Sequence, residues 1–102
     1  MNLFQPNTDD KSSEQFDILL KTQNLQIEKI TSHGQTSDQW YEQDRDEWIV
    51  LIEGEGKLLF SDKSEVVLKK GEHLYIPKMK KHKVIYTSSP AIWLAIYFKA
   101  EQ

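Results

Sequence analysis

The chain has no cysteine among its 102 residues, which excludes a disulfide framework, a thiolate nucleophile and any Cys-ligated zinc. It has no apolar run long enough to span a bilayer. No glycine-rich phosphate cradle precedes a helix, and no serine sits in a glycine-flanked elbow near a histidine, so nucleotide binding and serine hydrolysis are disfavoured. An excess of positive charge is also missing. Thirteen Lys and Arg stand against sixteen Asp and Glu, for a formal charge of −3 and a pI near 5.6. That balance argues against the broad basic face of a nucleic-acid binder. The opening MNLFQPNTDD lacks the basic start and apolar stretch of a signal peptide, and the expected location is the cytoplasm. There are no internal repeats and no low-complexity tracts.

What is present fits one small domain, because a chain of this length buries only roughly 60 to 70% of its unfolded surface and builds a single core. Residues 1–23 read as a polar N-terminal arm followed by a short helix, and residues 24–102 as a β-barrel. In the arm, Leu3 and Phe4 form an edge segment near Pro6. From Ser13, which can cap, Phe16, Leu19 and Leu20 recur at helical spacing, with Glu14 favourably placed in the first turn. Beyond it the period becomes two: Leu25, Ile27 and the stem of Lys29 alternate with Gln26, Glu28 and Ile30.

The β-branched and aromatic run Glu47 to Glu53, punctuated by Gly54 and Gly56 and followed by Lys57 to Phe60, predicts a hairpin. Turns at Ser61 to Ser64 and at Lys70-Gly71 bracket the strand Glu65 to Leu68. Leu74 to Ile76 stops at Pro77, and the chain resumes as Val84 to Thr87 and Ile92 to Phe98. Short strands at such regular spacing predict an all-β antiparallel sandwich or barrel. The last run is apolar on both faces. Something must cover its outer side, either the N-terminal helix or a second subunit, and a homodimer is expected.

Glu47, Gly54, Gly71, Pro77 and His82 carry a more specific signal. Glycine follows the glutamate by seven residues, Gly71 precedes Pro77 by six, and His82 follows it by five. In these spacings residues 40–98 resemble a single-domain cupin, and the resemblance implies a double-stranded β-helix of the jelly-roll kind. The family's first motif opens with two histidines one residue apart, three or four residues before the glutamate. Here those positions hold Tyr41 and Gln43, or in the alternative alignment Trp40 and Glu42. Tyr41 and Gln43 are preferred, because an aromatic often precedes the first histidine in the family and Trp40 would take that place.

The resemblance implies a site at Glu47 and His82 that holds a small organic ligand, with Trp40, Tyr41, Gln43 and Tyr86 around it. It also implies a residual metal shell in which Glu47 and His82 hold a divalent Zn, Fe, Ni or Mn ion, with Glu42 available as a second carboxylate. Strand parity places Glu47 on the same face as Ile49 and Leu51. If that face is interior, its pKa is raised and the pair suits acid–base work in an isomerase, lyase or oxygenase step. A ligand-binding or sensing module and a structural dimer with a filled barrel are the competing readings.

Four other features have plainer readings. His33 beside Gly34 reads as a solvated turn residue, and the direction of His73 depends on an unfixed parity. Lys78, Lys80, Lys81 and Lys83 around His82 form a basic run able to steer an anion or merely to solvate a loop. Trp40, Trp48 and Trp93 with Tyr41, Tyr75, Tyr86 and Tyr97 supply aromatic surface shared between core and pocket.

Overall fold

The computed structural model describes residues 1–99, which form eight strands and no helix. In chain order these are β1 (Gln15–Lys21), β2 (Leu25–Ser32), β3 (Asp46–Glu53), β4 (Glu55–Phe60), β5 (Glu65–Lys69), β6 (His73–Ile76), β7 (His82–Thr87) and β8 (Ala91–Phe98). One sheet has the order β1-β2-β8-β3-β6 and the other β5-β4-β7. All pairings are antiparallel, and the result is the jelly-roll barrel that the residue spacing implies.

The core lies between the sheets. Ile49 and Leu51 of β3, Leu58 and Phe60 of β4, Leu68 of β5, Ile76 of β6 and Ala91, Trp93 and Ala95 of β8 form one buried cluster. Each belongs to the inward half of a period-two pattern, and burying each large side chain contributes about 1.5–3 kcal/mol before conformational entropy is subtracted.

Two local expectations are corrected. The segment expected as a helix is β1, whose Phe16 lies opposite Ile30 and whose Ile18 lies opposite Glu28 on β2. A bulge between Ile18 and Leu20 turns Leu20 to the opposite face, beside Ile27. One extra residue in a strand thus imitates helical spacing, and pairing with β2 outweighs a weak local propensity. The expected hairpin between β3 and β4 does not form either, because the two strands belong to different sheets. Gly54 carries the crossing at φ +89, and a Cβ there would lie 2.3 Å from the Ser88 hydroxyl oxygen. The Ser61–Ser64 turn does close a hairpin, with β4 and β5 paired around it.

β8 is apolar on both faces because it runs between β2 and β3 in the larger sheet. The N-terminal arm, not a helix, shields part of the outer face of that sheet. Lys29 is 3% exposed, and its Nζ donates to the Asn2 carbonyl at 3.1 Å and to the Gln5 carbonyl. The Asn7 N–H donates to Thr31 Oγ1 at 3.2 Å, and His33 Nε2 donates to the Asn7 carbonyl at 2.9 Å. His33, expected as a solvated residue, is therefore a half-buried tether for the arm. Farther along the same face, Leu20, Ile27, Ile96, Trp48 and Tyr75 stand opposite one another across five strands. Among the described residues no helix is long and apolar enough to cross a membrane.

Candidate functional site

Glu47 enters the interior at the start of β3 and is 6% exposed. Gln43, in the loop before the strand, donates from Nε2 to Glu47 Oε1 at 2.6 Å. On β8 the residue opposite Glu47 is Tyr97, whose hydroxyl also donates toward the carboxyl. Burial is the larger influence, and with the nearby Glu28 carboxylate it pushes the Glu47 pKa up to about 7.

His82, 7% exposed, opens β7. Its backbone exchanges hydrogen bonds with that of Tyr41, at 2.8 and 3.0 Å, which fixes the loop of residues 33–45 across the strand. The ring nitrogen Nδ1 donates to the Lys80 carbonyl at 2.9 Å. A carbonyl only accepts, so Nδ1 carries the proton and Nε2 presents a lone pair. Burial lowers the His82 pKa, with the Lys80 charge acting in the same direction. Nε2 lies 3.7 Å from Glu47 Oε1, beyond hydrogen-bond distance. Burial favours the neutral form of both groups. With its pKa at about 7, the Glu47 carboxyl is divided between protonated and charged forms at neutral pH beside a free imidazole, and the pair is not a fixed salt bridge.

These groups open on a cavity of about 150 Å³ between the sheets. Trp93 closes its deep end, and its indole can cross to β4 because Gly56 lacks a side chain: a Cβ there would lie 2.2 Å from Trp93 Cζ2. Ile49, Leu58 and Val84 form apolar walls. Phe16 and Tyr41, 57% and 53% exposed, mark the rim together with Glu14 and Ser37. Glu14 accepts from Ser32 Oγ at 2.6 Å, and burial raises its pKa.

Of the residues singled out in the sequence, Glu47, His82, Gln43 and Tyr41 meet at this cavity. Trp40 and Tyr86 do not line it, being 43% and 48% exposed elsewhere. Trp40 stacks under Lys83 Nζ at 4.7 Å, and the outward side of β7 takes Tyr86 because a bulge opposite Lys57 and Leu58 shifts the register there. Glu42 lies 3.7 Å from Lys81 and is no part of the cavity wall. His73 points to the outer face and accepts from Trp48 Nε1 at 3.2 Å.

Comparison with known proteins agrees with this architecture. The family profile described as "Cupin domain" matches residues 29–97. The chain belongs to the cupin family. A protein of Ralstonia eutropha JMP134, provisionally described as a mannose-6-phosphate isomerase, is 32% identical, with 98% of this chain and 97% of that one covered and a TM-score of 0.85. A cupin superfamily protein of Desulfitobacterium hafniense DCB-2 shares 18% identity over 89% and 82% of the two chains, at a TM-score of 0.79. A Neisseria meningitidis protein shares 20% identity over 97% and 98%, at 0.77. No curated protein matches.

Cupin metal shells need more donors than this cupin brings together. Among the described residues no group of three or more His, Asp or Glu side chains is placed to hold a metal ion. Among the described residues Glu47, His82 and Glu14 are the His, Asp and Glu side chains lining the cavity, and Glu14 is bonded to Ser32 at the rim. Gln43 turns its amide N–H toward Glu47, and the half-exposed Tyr41 sits at the rim. A neutral phenol and an amide are poor partners for a transition metal, so the donor set does not fit one.

Glu14, Phe16, Ser37 and the Tyr97 hydroxyl were not marked in the sequence as site residues. Tyr97 shares the parity of Trp93 and Ala95, a signal that could have placed it inward. Glu14 was hidden by the helical reading of β1, and Ser37 enters only because its backbone N–H bonds the Val84 carbonyl at 2.8 Å.

Proposed function

We propose that this cupin binds a small organic molecule in the cavity between its sheets, holds its polar group between Glu47 and His82, and works without a metal ion. The observation that carries this is the 3.7 Å gap between Glu47 Oε1 and the unprotonated Nε2 of His82, polar atoms of two buried residues that line the same cavity without bonding each other. A ligand hydroxyl or amine placed in the gap would satisfy both. The volume of about 150 Å³ suits a benzene-sized body, since an engineered apolar cavity of about 150 Å³ accommodates benzene. The test is an NMR screen of small ring compounds that follows the His82 imidazole. Ligands should shift its resonances saturably in chelator-treated protein, and Glu47→Gln should abolish the shift. Binding that requires added metal would overturn the proposal.

A second reading has its own support: Glu47 titrates near 7 beside a neutral imidazole, a pair able to give and take a proton at neutral pH. The Ralstonia relative is provisionally described as an isomerase, and isomerisation of an aldose and ketose moves one proton from C2 to C1 and one from the C2 hydroxyl to the C1 oxygen. Incubation with mannose 6-phosphate in deuterated water tests it. Deuterium at C2 that depends on Glu47 would support the reading, and none after long incubation would exclude it for that substrate.

The assembly proposed is a homodimer. The edge strand β1 carries Phe16, Ile18 and Leu20 at 57%, 55% and 48% exposure, and β1 has one unpaired edge. Two copies can extend the sheet across that edge. Sedimentation should report twice the 12.0 kDa chain mass, and Ile18→Lys should return it to one. A monomer at tens of micromolar would defeat the proposal.

A further inference from the structure

Resting on that reading of the cavity, we infer that its ligand is a small cationic amine with an apolar body, and not a phosphorylated or carboxylated compound. Three placements carry the inference. First, acceptors dominate the buried end of the cavity, while the free hydroxyl donors, Tyr41 and Ser37, stand at its rim. His82 is buried and lines the cavity, and its Nε2 accepts no hydrogen bond from the described residues. The Gln43 amide and the Tyr97 hydroxyl are turned onto Glu47, while Glu14 Oε2 accepts from Ser32 and faces the rim. An ammonium has three donors and no acceptor, which complements this set. A phosphate or carboxylate would set lone pairs against lone pairs.

Second, no lysine or arginine lines the cavity among the described residues. The basic run beside it is engaged outside. Lys80 Nζ sits 4.3 Å from the Phe60 ring centroid, Lys83 Nζ sits 4.7 Å from that of Trp40, and Lys81 faces Glu42 at 3.7 Å. Arg45 lies 4.5 Å from the Tyr97 ring centroid and donates to Gln26 Oε1 at 3.2 Å. It partly offsets the field of Glu28 and Glu47 but does not itself line the cavity. Third, Phe16, Tyr41, Trp93 and Tyr97 supply ring surface on which an ammonium and its apolar body both rest favourably.

The experiment titrates the full chain with benzylamine, benzyl alcohol, benzoate and mannose 6-phosphate at one neutral pH and one salt concentration, reading the His82 ring by NMR. Benzylamine should bind at least about tenfold more tightly than benzoate. Glu14→Gln should weaken benzylamine about two- to fivefold and leave benzyl alcohol unchanged. Benzoate or mannose 6-phosphate binding as tightly as benzylamine would overturn the inference. If benzyl alcohol binds and benzylamine gains nothing over it, the cavity reading stands and the charge preference falls. If none of the four shifts His82, both fall.

Discussion

Glu47 and Leu51 stand on the same inward face of the same strand, one turned to a cavity and the other to a filled core. At the Leu51 end the side chain joins the packed apolar cluster, and Leu51 has no exposed surface. At the Glu47 end the facing strands contribute His82 and Tyr97 instead, and Trp93 reaches past Gly56 rather than filling the space. The contrast shows that burial alone does not define a core. A buried position becomes a site when its neighbours leave polar atoms facing a void, because those atoms demand a partner that apolar packing cannot supply.

The largest way to break this contrast is Leu51→Ala. It leaves a void in the packed end and should lower stability by about 4 kcal/mol in chemical denaturation while leaving ligand selectivity unchanged. Glu47→Gln should act in the opposite sense and depend on pH. The folded pKa of Glu47, about 7, exceeds its ordinary 4.5, so the native state holds this proton more tightly than the unfolded chain. The charged form thus costs stability as pH rises from 4.5 through 7. Removing the charge should stabilise the protein by up to about 3 kcal/mol above that window, do little at the acid end, and abolish ligand binding.

His82 gives the complementary dependence. Its folded pKa lies below 6.5, so stability is full above 6.5 and falls as pH drops below it. Thermal denaturation across pH should therefore peak in mildly acidic solution, and Glu47→Gln should remove only the alkaline decline. A profile unchanged by that substitution would show that Glu47 titrates normally and does not belong to the interior.

Smaller effects sharpen the boundary between the two ends. Gly56→Ala pushes a methyl into the Trp93 indole and should cost about 1–3 kcal/mol. It should also narrow the cavity, read as weaker binding of ring compounds. Replacing both Tyr41→His and Gln43→His adds imidazoles beside Glu47 and His82 and should raise nickel affinity by about tenfold or more, about 1.4 kcal/mol, in calorimetric titration. No gain would mean that these positions do not face the pair. Tyr86→Ala should leave ligand affinity unchanged and alter stability by about 0.5 kcal/mol or less.

Much of this was legible along the chain because period-two alternation is a local property. The inward direction of Glu47 follows from its parity with Ile49 and Leu51, and the glycine, proline and histidine spacings place His82 at a strand start. The nature of β1 was not legible, since its bulge makes Phe16, Leu19 and Leu20 read at helical intervals. Nor was the separation of β3 from β4, because the pairs Gly54 and Gly56 that suggest a hairpin serve instead to cross between sheets and to admit Trp93.

The sequence by itself determined the all-β class, the absence of thiol chemistry and the family, because strand periodicity and motif spacing are written in consecutive residues. Only the tertiary structure decided that Gln43 is bonded to Glu47, that Tyr86 and Trp40 lie outside the cavity, and that Glu14 and Tyr97 border it. Those are relations between residues brought together from distant strands. They depend on register, bulges and the angle at which two sheets face each other, none of which a linear pattern encodes.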